Sequence, residues 1–178
     1  MTTKKINVLF GTQEYFIQAG GVGPVTIGLA PALMKKDFNV SVVTPFFDAY
    51  NELYKNKDVE HISTITHLYK AKHFKSDIFR VRVEEINGEI LYHYLIKPVK
   101  DSPVGWLFNI ENDGTKIYQS FSWSEAHNRR EYFNSAIAAM LRYPNSKIPE
   151  FDIYHAHTWH TGIAGVLAKE MDGLPKWQ

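Results

Sequence analysis

The feature that most constrains this chain is its opening order of strand, glycine loop, helix and strand. Lys5 to Phe10 is a short apolar run of strand formers that stops at Gly11-Thr12, the pattern of a strand buried on both faces. Gly20-Gly21-Val22-Gly23-Pro24 follows as a glycine-rich loop. Pro24 suits the first turn of a helix, where a missing N–H costs nothing. Val25, Leu29 and Leu33 then fall at helical spacing and predict the buried stripe. Pro31 lies inside this helix and predicts a kink or an early end. Val40 to Thr44 is a second apolar run, stopped by Pro45. This succession is one βαβ unit, with a right-handed crossover and parallel strands.

The middle of the chain reads differently. His61 to Lys70 alternates polar and apolar residues. Ile78 to Ile86 and Glu89 to Ile96 flank Asn87-Gly88, the strongest short hairpin signal. These strands are expected to be antiparallel and to lie at the edge of the parallel sheet. Lys97 to Gln119 lacks periodicity and reads as a long loop of the functional or mobile kind. Ser122-Trp123-Ser124-Glu125 is a capping box that predicts a helix from about Ser124 to Arg142. Phe151 to His157 reads as another strand and Thr161 to Met171 as another helix. Val8, Leu9, Val42, Val43, Ile153 and Tyr154 are expected on central parallel strands. The fold class is therefore α/β, an open, mainly parallel Rossmann-like sheet with an antiparallel hairpin insertion.

Composition narrows the function classes. Twenty Lys and Arg against nineteen Asp and Glu leave a formal charge of +1, so no general pull toward nucleic acid or an anionic membrane is expected. There is no cysteine in the 178 residues, which excludes disulfides, thiolate catalysis and Cys-ligated metals. The apolar stretch after Lys4-Lys5 is too short for a signal peptide. No window approaches the ~18 apolar residues of a membrane span. A cytoplasmic location is expected.

Ligands of open α/β sheets bind beyond the carboxyl ends of the strands. Two segments occupy that edge, Gln18-Ala19-Gly20-Gly21-Val22-Gly23 and Thr158-Trp159-His160-Thr161-Gly162. Each precedes a helix N-terminus, where free N–H groups suit an anion. A dinucleotide site is disfavoured: the third glycine of the fingerprint is missing and Val42-Val43-Thr44-Pro45 carries no ribose-binding acid. His155, His157 and His160 form H-x-H-x-x-H, which resembles the H-x-H-x-D-H zinc motif of metallo-β-lactamases, with Trp159 at the aspartate position. These three are expected not to converge on a metal, one or two being buried and one facing the cleft. Glu84-Glu85 and Glu111 with Asp113 suggest no acid–base pair.

The two turns, and the order of everything between them, resemble the N-terminal domain of bacterial glycogen and starch synthases, retaining glucosyltransferases of the two-domain GT-B type. That family carries Lys-Thr-Gly-Gly-Leu-Ala-Asp-Val where this chain has Gln18-Ala19-Gly20-Gly21-Val22-Gly23-Pro24-Val25. Its Gly-Ala-Leu-Pro-x-Ala-Leu helix is matched by Gly28-Leu29-Ala30-Pro31-Ala32-Leu33. Its Arg-Phe-x-x-Phe-x-x-Ala helix is approximated by Arg129 to Ala136. Its Pro-Asp-x-x-His-x-His-Asp-Trp-His segment is similar to Phe151-Asp152-Ile153-Tyr154-His155-Ala156-His157-Thr158-Trp159-His160. Three polar family positions differ, at Gln18, Pro24 and Thr158.

The resemblance implies that residues 1–178 form the acceptor-side domain, with a C-terminal nucleotide-sugar domain and its catalytic glutamate outside this chain. It implies transfer of glucose from ADP-glucose, or UDP-glucose, to an α-1,4-glucan, without a cofactor or metal. By itself the chain is expected to be inactive. Gln18, Gly20, Gly21 and Gly23 would meet the donor's phosphates, Gly21 at a positive φ. His157, Thr158, Trp159 and His160 would shape the sugar cleft. Tyr92, Tyr94 and Trp106 are surface candidates for glucan. Two alternatives remain open: a non-catalytic carbohydrate-binding or regulatory paralogue, suggested by the three changed polar positions, and a metal-dependent hydrolase using His155, His157 and His160.

Overall fold

The computed structural model describes residues 5–17, 20–109 and 122–170. Its elements are β1 (Ile6–Gly11), α1 (Val22–Met34), β2 (Phe38–Pro45), α2 (Ala49–Leu53), β3 (Val59–Tyr69), β4 (Lys72–Ile86), β5 (Glu89–Pro98), a 3-10 turn at Gly105–Phe108, α3 (Trp123–Arg142), β6 (Ile153–Ala156) and α4 (Trp159–Glu170). Six strands form one sheet in the order β3-β4-β5-β2-β1-β6. β1 pairs in parallel with β2 and with β6, and β2 pairs in parallel with β5. The parallel half is thus as expected, with two corrections. β6 lies at the edge of the described sheet rather than at its centre, and Ile153 is exposed. β5 is not confined to an antiparallel appendage: it pairs antiparallel with β4 and parallel with β2, so it joins the two halves.

The hairpin turn follows from its residues. Asn87 and Gly88 have φ of 53° and 79°, the two left-handed residues that a type I′ turn requires. On α1 the buried residues are Gly23, Thr26, Ala30 and Met34. The inward stripe is therefore rotated by one position from the Val25, Leu29, Leu33 reading, and Val25 is exposed. Pro31 does not end the helix, which continues to Met34.

Helices cover both faces of the sheet. Val8, Phe10, Val40 and Val42 pack with Ala30 and Met34 of α1 on one side. Leu9, Val43, Tyr94 and Ile96 pack with Phe133, Ile137 and Met140 of α3 and Ala164 of α4 on the other. The alternation along β1 and β2 sends successive side chains to opposite faces, which explains their unbroken apolar runs. Ser122 caps α3 by accepting the Glu125 N–H at 3.2 Å, as the capping box predicts. Tyr94 lies in the core, which removes it from the surface glucan candidates; Tyr92 is half-buried under Arg80, whose guanidinium lies 4.6 Å from its ring centroid. Trp106 is exposed. Gln18, and the part of the long loop spanning 110–121, lie outside the described residues. Among the described residues no helix is long and apolar enough to cross a membrane.

Candidate functional site

The strand order reverses at β1. From β1 the chain crosses through α1 to β2 on one side, while α3 delivers it to β6 on the other. The crevice outside the carboxyl ends of β1 and β6 is therefore the switch point where α/β sheets bind ligands. Hydrogen bonds lock its floor. The His157 N–H and the Thr161 hydroxyl both donate to the Gly11 carbonyl at 2.8 Å. The Tyr154 hydroxyl donates to the Thr161 carbonyl at 2.8 Å. A Cβ on Gly11 would lie 2.1 Å from that Tyr154 oxygen, so this strand end requires glycine.

The first wall is the glycine loop. Gly21 caps α1 with φ −78° and ψ −11°, ordinary helical values. The expected positive φ is absent, because the loop enters α1 directly rather than through a tight left-handed turn. A Cβ at Gly21 would meet nothing within 4 Å. Neither strain nor packing within the protein thus demands glycine there. Gly20 is exposed, whereas Gly23 is buried inside α1; with its backbone in the helix and its Cα covered, Gly23 belongs to packing more than to the crevice. The Gly20 N–H is already engaged, donating to Glu14 Oε2 at 2.8 Å. Glu14 is fully buried.

The second wall is the turn from β6 into α4. Thr158 has φ 70°, a left-handed conformation that a β-branched residue adopts only under strain. Its hydroxyl lies 2.6 Å from His160 Nδ1. Thr158→Asn should raise stability by about 0.5–1 kcal/mol, because Asn tolerates this region better. Urea unfolding checks it; a loss of stability would mean that the Thr158–His160 bond outweighs the strain. Asn134 of α3 fixes the same turn from behind. Its amide donates to the His160 carbonyl at 2.7 Å, and its oxygen accepts the Ala164 N–H at 2.8 Å.

Trp159, the first residue of α4, stacks on His160 with centroids 4.1 Å apart, and the Arg130 guanidinium lies 4.3 Å from its ring centroid. Arg130 also faces the exposed Trp123 ring at 5.9 Å. His157 is buried and its Nε2 has no hydrogen-bond partner among the described residues. Burial first, then the neighbouring His155, pushes its pKa down to about 4. His160 is also pushed down to about 4, by burial and then by Arg130, against an opposing pull from Glu14. Both imidazoles are neutral at neutral pH. The buried Gln13 amide, just beyond β1, also has no partner on either atom among the described residues.

Of the predicted residues, His157, Thr158, Trp159 and His160 form one wall and Gly20 and Gly21 the other. The rings of His155 and His157 stack side by side at 4.6 Å while His160 turns to Thr158. Among the described residues no group of three His, Asp or Glu side chains could hold a metal ion. Glu14, Arg130 and Asn134 escaped the sequence reading. The available signal was polarity in the wrong place: Arg130 and Asn134 are two of four polar residues, with Arg129 and Ser135, on the buried side of α3. A cavity of about 980 Å³ lies elsewhere, along β3 and the C-terminal ends of α3 and α4, with Ile65, His67, Leu68 and Tyr143 in its lining.

Comparison with known proteins agrees with this fold. The family model for the starch synthase catalytic domain matches residues 7–176. Glycogen synthase of Oceanobacillus iheyensis is 27% identical over 166 residues, covering 92% of this chain and 30% of the relative. Glycogen synthase of Lacticaseibacillus casei is 28% identical over 173 residues, covering 96% of this chain and 32% of the relative. Among solved structures, the catalytic domain of starch synthase IV from Arabidopsis thaliana, bound to ADP and acarbose, superposes with a TM-score of 0.70 at 20% identity. That match covers 96% of this chain and 31% of the plant chain, and shows a shared GT-B-type fold. The chain thus spans about a third of the length of the relatives it matches. With its family match running through nearly all of its residues, the chain belongs to the starch synthase catalytic-domain family of glycosyltransferases.

Proposed function

We propose that this chain is the acceptor-side domain of a glycogen/starch synthase-like retaining glycosyltransferase, which moves glucose from ADP-glucose to the end of an α-1,4-glucan. The donor would lie in the switch-point crevice, closed from the other side by a C-terminal domain of the same protein. The observation that carries this reading is that the two loop-to-helix turns, Gly20-Gly21 before α1 and Thr158 to His160 before α4, lie beyond the ends of the paired strands β1 and β6, with open space at Gly21 for a ligand to approach. The ligand of the plant neighbour, ADP with acarbose, is of the matching class. The His157 Nε2 offers a neutral, buried hydrogen-bonding atom at the same edge. The rest of the reaction, above all the charge stabilisation of the departing diphosphate, falls to groups on both domains.

The test uses the full-length protein. Gly21→Val should leave folding within about 1 kcal/mol of wild type, since its φ is permitted and its surroundings are open. It should weaken ADP binding at least tenfold, or about 1.4 kcal/mol, and remove most glucose transfer. Calorimetric titration with ADP and UDP, together with a glucan-elongation assay, reads both. A Gly21→Val protein that binds and transfers like wild type would reduce the loop to a simple turn and remove the nucleotide site from it.

A further inference from the structure

All three tryptophans among the described residues, Trp106, Trp123 and Trp159, are exposed, although tryptophan is on average a well-buried residue. Trp106 lies in the 3-10 turn between β5 and α3, Trp123 is the first residue of α3 and Trp159 the first of α4. A helix that leads into a parallel strand starts at the carboxyl edge of the sheet, so α3, which leads into β6, begins on the edge where α4 begins after β6. Trp123 and Trp159 belong to one patch there: the Arg130 guanidinium lies 5.9 Å from the first ring centroid and 4.3 Å from the second. The two rings are not equivalent. Trp159 already carries two flat groups, His160 at 4.1 Å and that guanidinium. Trp123 is 81% exposed, so a face of its indole is open to solvent. Its backbone is nevertheless fixed, because the Ser122 hydroxyl accepts the Glu125 N–H and the Ser122 carbonyl accepts the Ala126 N–H, both at 3.2 Å.

We propose that Trp123 is a stacking platform for the α-glucan acceptor at the mouth of the crevice, and that it makes the enzyme favour long acceptors over short ones. The identity of the ligand rests on the synthase reading. The chemistry of the patch suits it. One face of a glucose ring carries only C–H groups, which lie flat on an indole, while its rim carries hydroxyls that need polar partners. The exposed Ser124 follows the indole in the chain and offers a hydroxyl. The cation of the patch, Arg130, is only 8% exposed, so the surface presented is mainly apolar and fits a neutral polymer. The patch is also continuous with the crevice, since Trp159 belongs to both. Trp123 stands outside the wall formed by Thr158, Trp159 and His160. A glucan that extends past that wall gains its contact, and a short one ends before it.

The test is elongation of maltoheptaose and of maltotriose by the full-length protein, with ADP titration as the control on the donor side. Trp123→Ala should raise KM for maltoheptaose by about fivefold or more, with the loss in KM rather than in kcat, and KM for maltotriose by less than about twofold. Trp123→Tyr, which keeps a flat ring, should recover most of the affinity for maltoheptaose. Trp123→Leu, which keeps apolar bulk without a flat ring, should not. An unchanged maltoheptaose KM in Trp123→Ala would overturn the platform and leave the synthase reading in place. So would recovery by Trp123→Leu equal to that by Trp123→Tyr, which would make the indole an apolar contact with the rest of the protein. A parallel loss of ADP affinity would make Trp123 a structural residue and overturn the proposal as well. A wild type that elongates neither acceptor removes the synthase reading itself, and the platform with it.

Discussion

Lowering the pH from 7.5 to 5 should cost this fold at least about 4 kcal/mol of stability. The cause is two histidines sealed in the core in their neutral form. His93 is fully buried, with Nδ1 2.6 Å from the Tyr54 hydroxyl and Nε2 2.8 Å from the Thr44 hydroxyl. Since Thr44 donates its own proton to the Pro45 carbonyl, it accepts from His93 Nε2, and Nδ1 accepts from Tyr54. His67 lies between Ser135 and Ser76 at 2.6 and 2.9 Å. Burial pushes the pKa of His93 down to about 3 and that of His67 to about 4. In the unfolded chain both titrate near the ordinary 6.5, so between there and the folded values the unfolded state binds more protons. Stability therefore falls as pH falls through that window. Each group contributes ~2 kcal/mol at pH 5, a figure set by the unfolded pKa alone while the folded value stays below 5. His157, buried and also pushed down to about 4, pushes in the same direction, and the half-buried His160 does so by less because water reaches it. Urea unfolding at pH 7.5, 6 and 5 measures the slope, and His93→Gln should remove about 2 kcal/mol of the loss. A stability constant to within 1 kcal/mol across this range would show that neither imidazole is held neutral.

The second large effect is expected at Gly11. An added methyl would lie 2.1 Å from the Tyr154 hydroxyl oxygen and 2.6 Å from the ring carbon that bears it. The ring cannot swing aside cheaply, because its hydroxyl is tied to the Thr161 carbonyl at 2.8 Å. Gly11→Ala should cost about 3 kcal/mol, at the upper end of overpacking, with the lost hydrogen bond included. The decisive measurement is the same substitution in a Tyr154→Ala background, where it should cost under about 1 kcal/mol. Equal costs in both backgrounds would place the strain in the backbone of β1 instead. Because Gly11 also accepts the hydrogen bonds that fix the α4 turn, its replacement should disturb the crevice as well as the core.

The contrast between Asn87-Gly88 and Gly21 shows where sequence reading works. A two-residue hairpin is a local event, so its dihedral requirement is written in its own residues, and both left-handed angles are present. The conformation of Gly21 depends on how the loop enters α1, which the glycines alone do not fix. The buried stripe of α1 was misplaced by one position for a related reason: Thr26 and Ala30 face the sheet because small residues let the helix approach it, and hydrophobicity alone favours Val25. α2 is five residues long, too short for periodicity to register. The two turns of the crevice were legible because a strand end followed by a helix start has a recognisable pattern. Arg130 and Asn134 were not, since it is the packing of α3 beside the α4 turn that brings them to Trp159 and His160.

The pairing of β1 with β6 sets a clock on biosynthesis. Asn7 donates its backbone N–H to the Asp152 carboxylate across 145 residues of chain. At a ribosomal pace of roughly 5–20 residues per second, that separation corresponds to a wait of about 7–30 s. During it β1 can find β2, which emerges soon after, but its other edge stays open. Of β1, β2 and β5, β1 is thus the last to acquire both of its neighbours. The crevice at its end comes into being only when that second pairing closes.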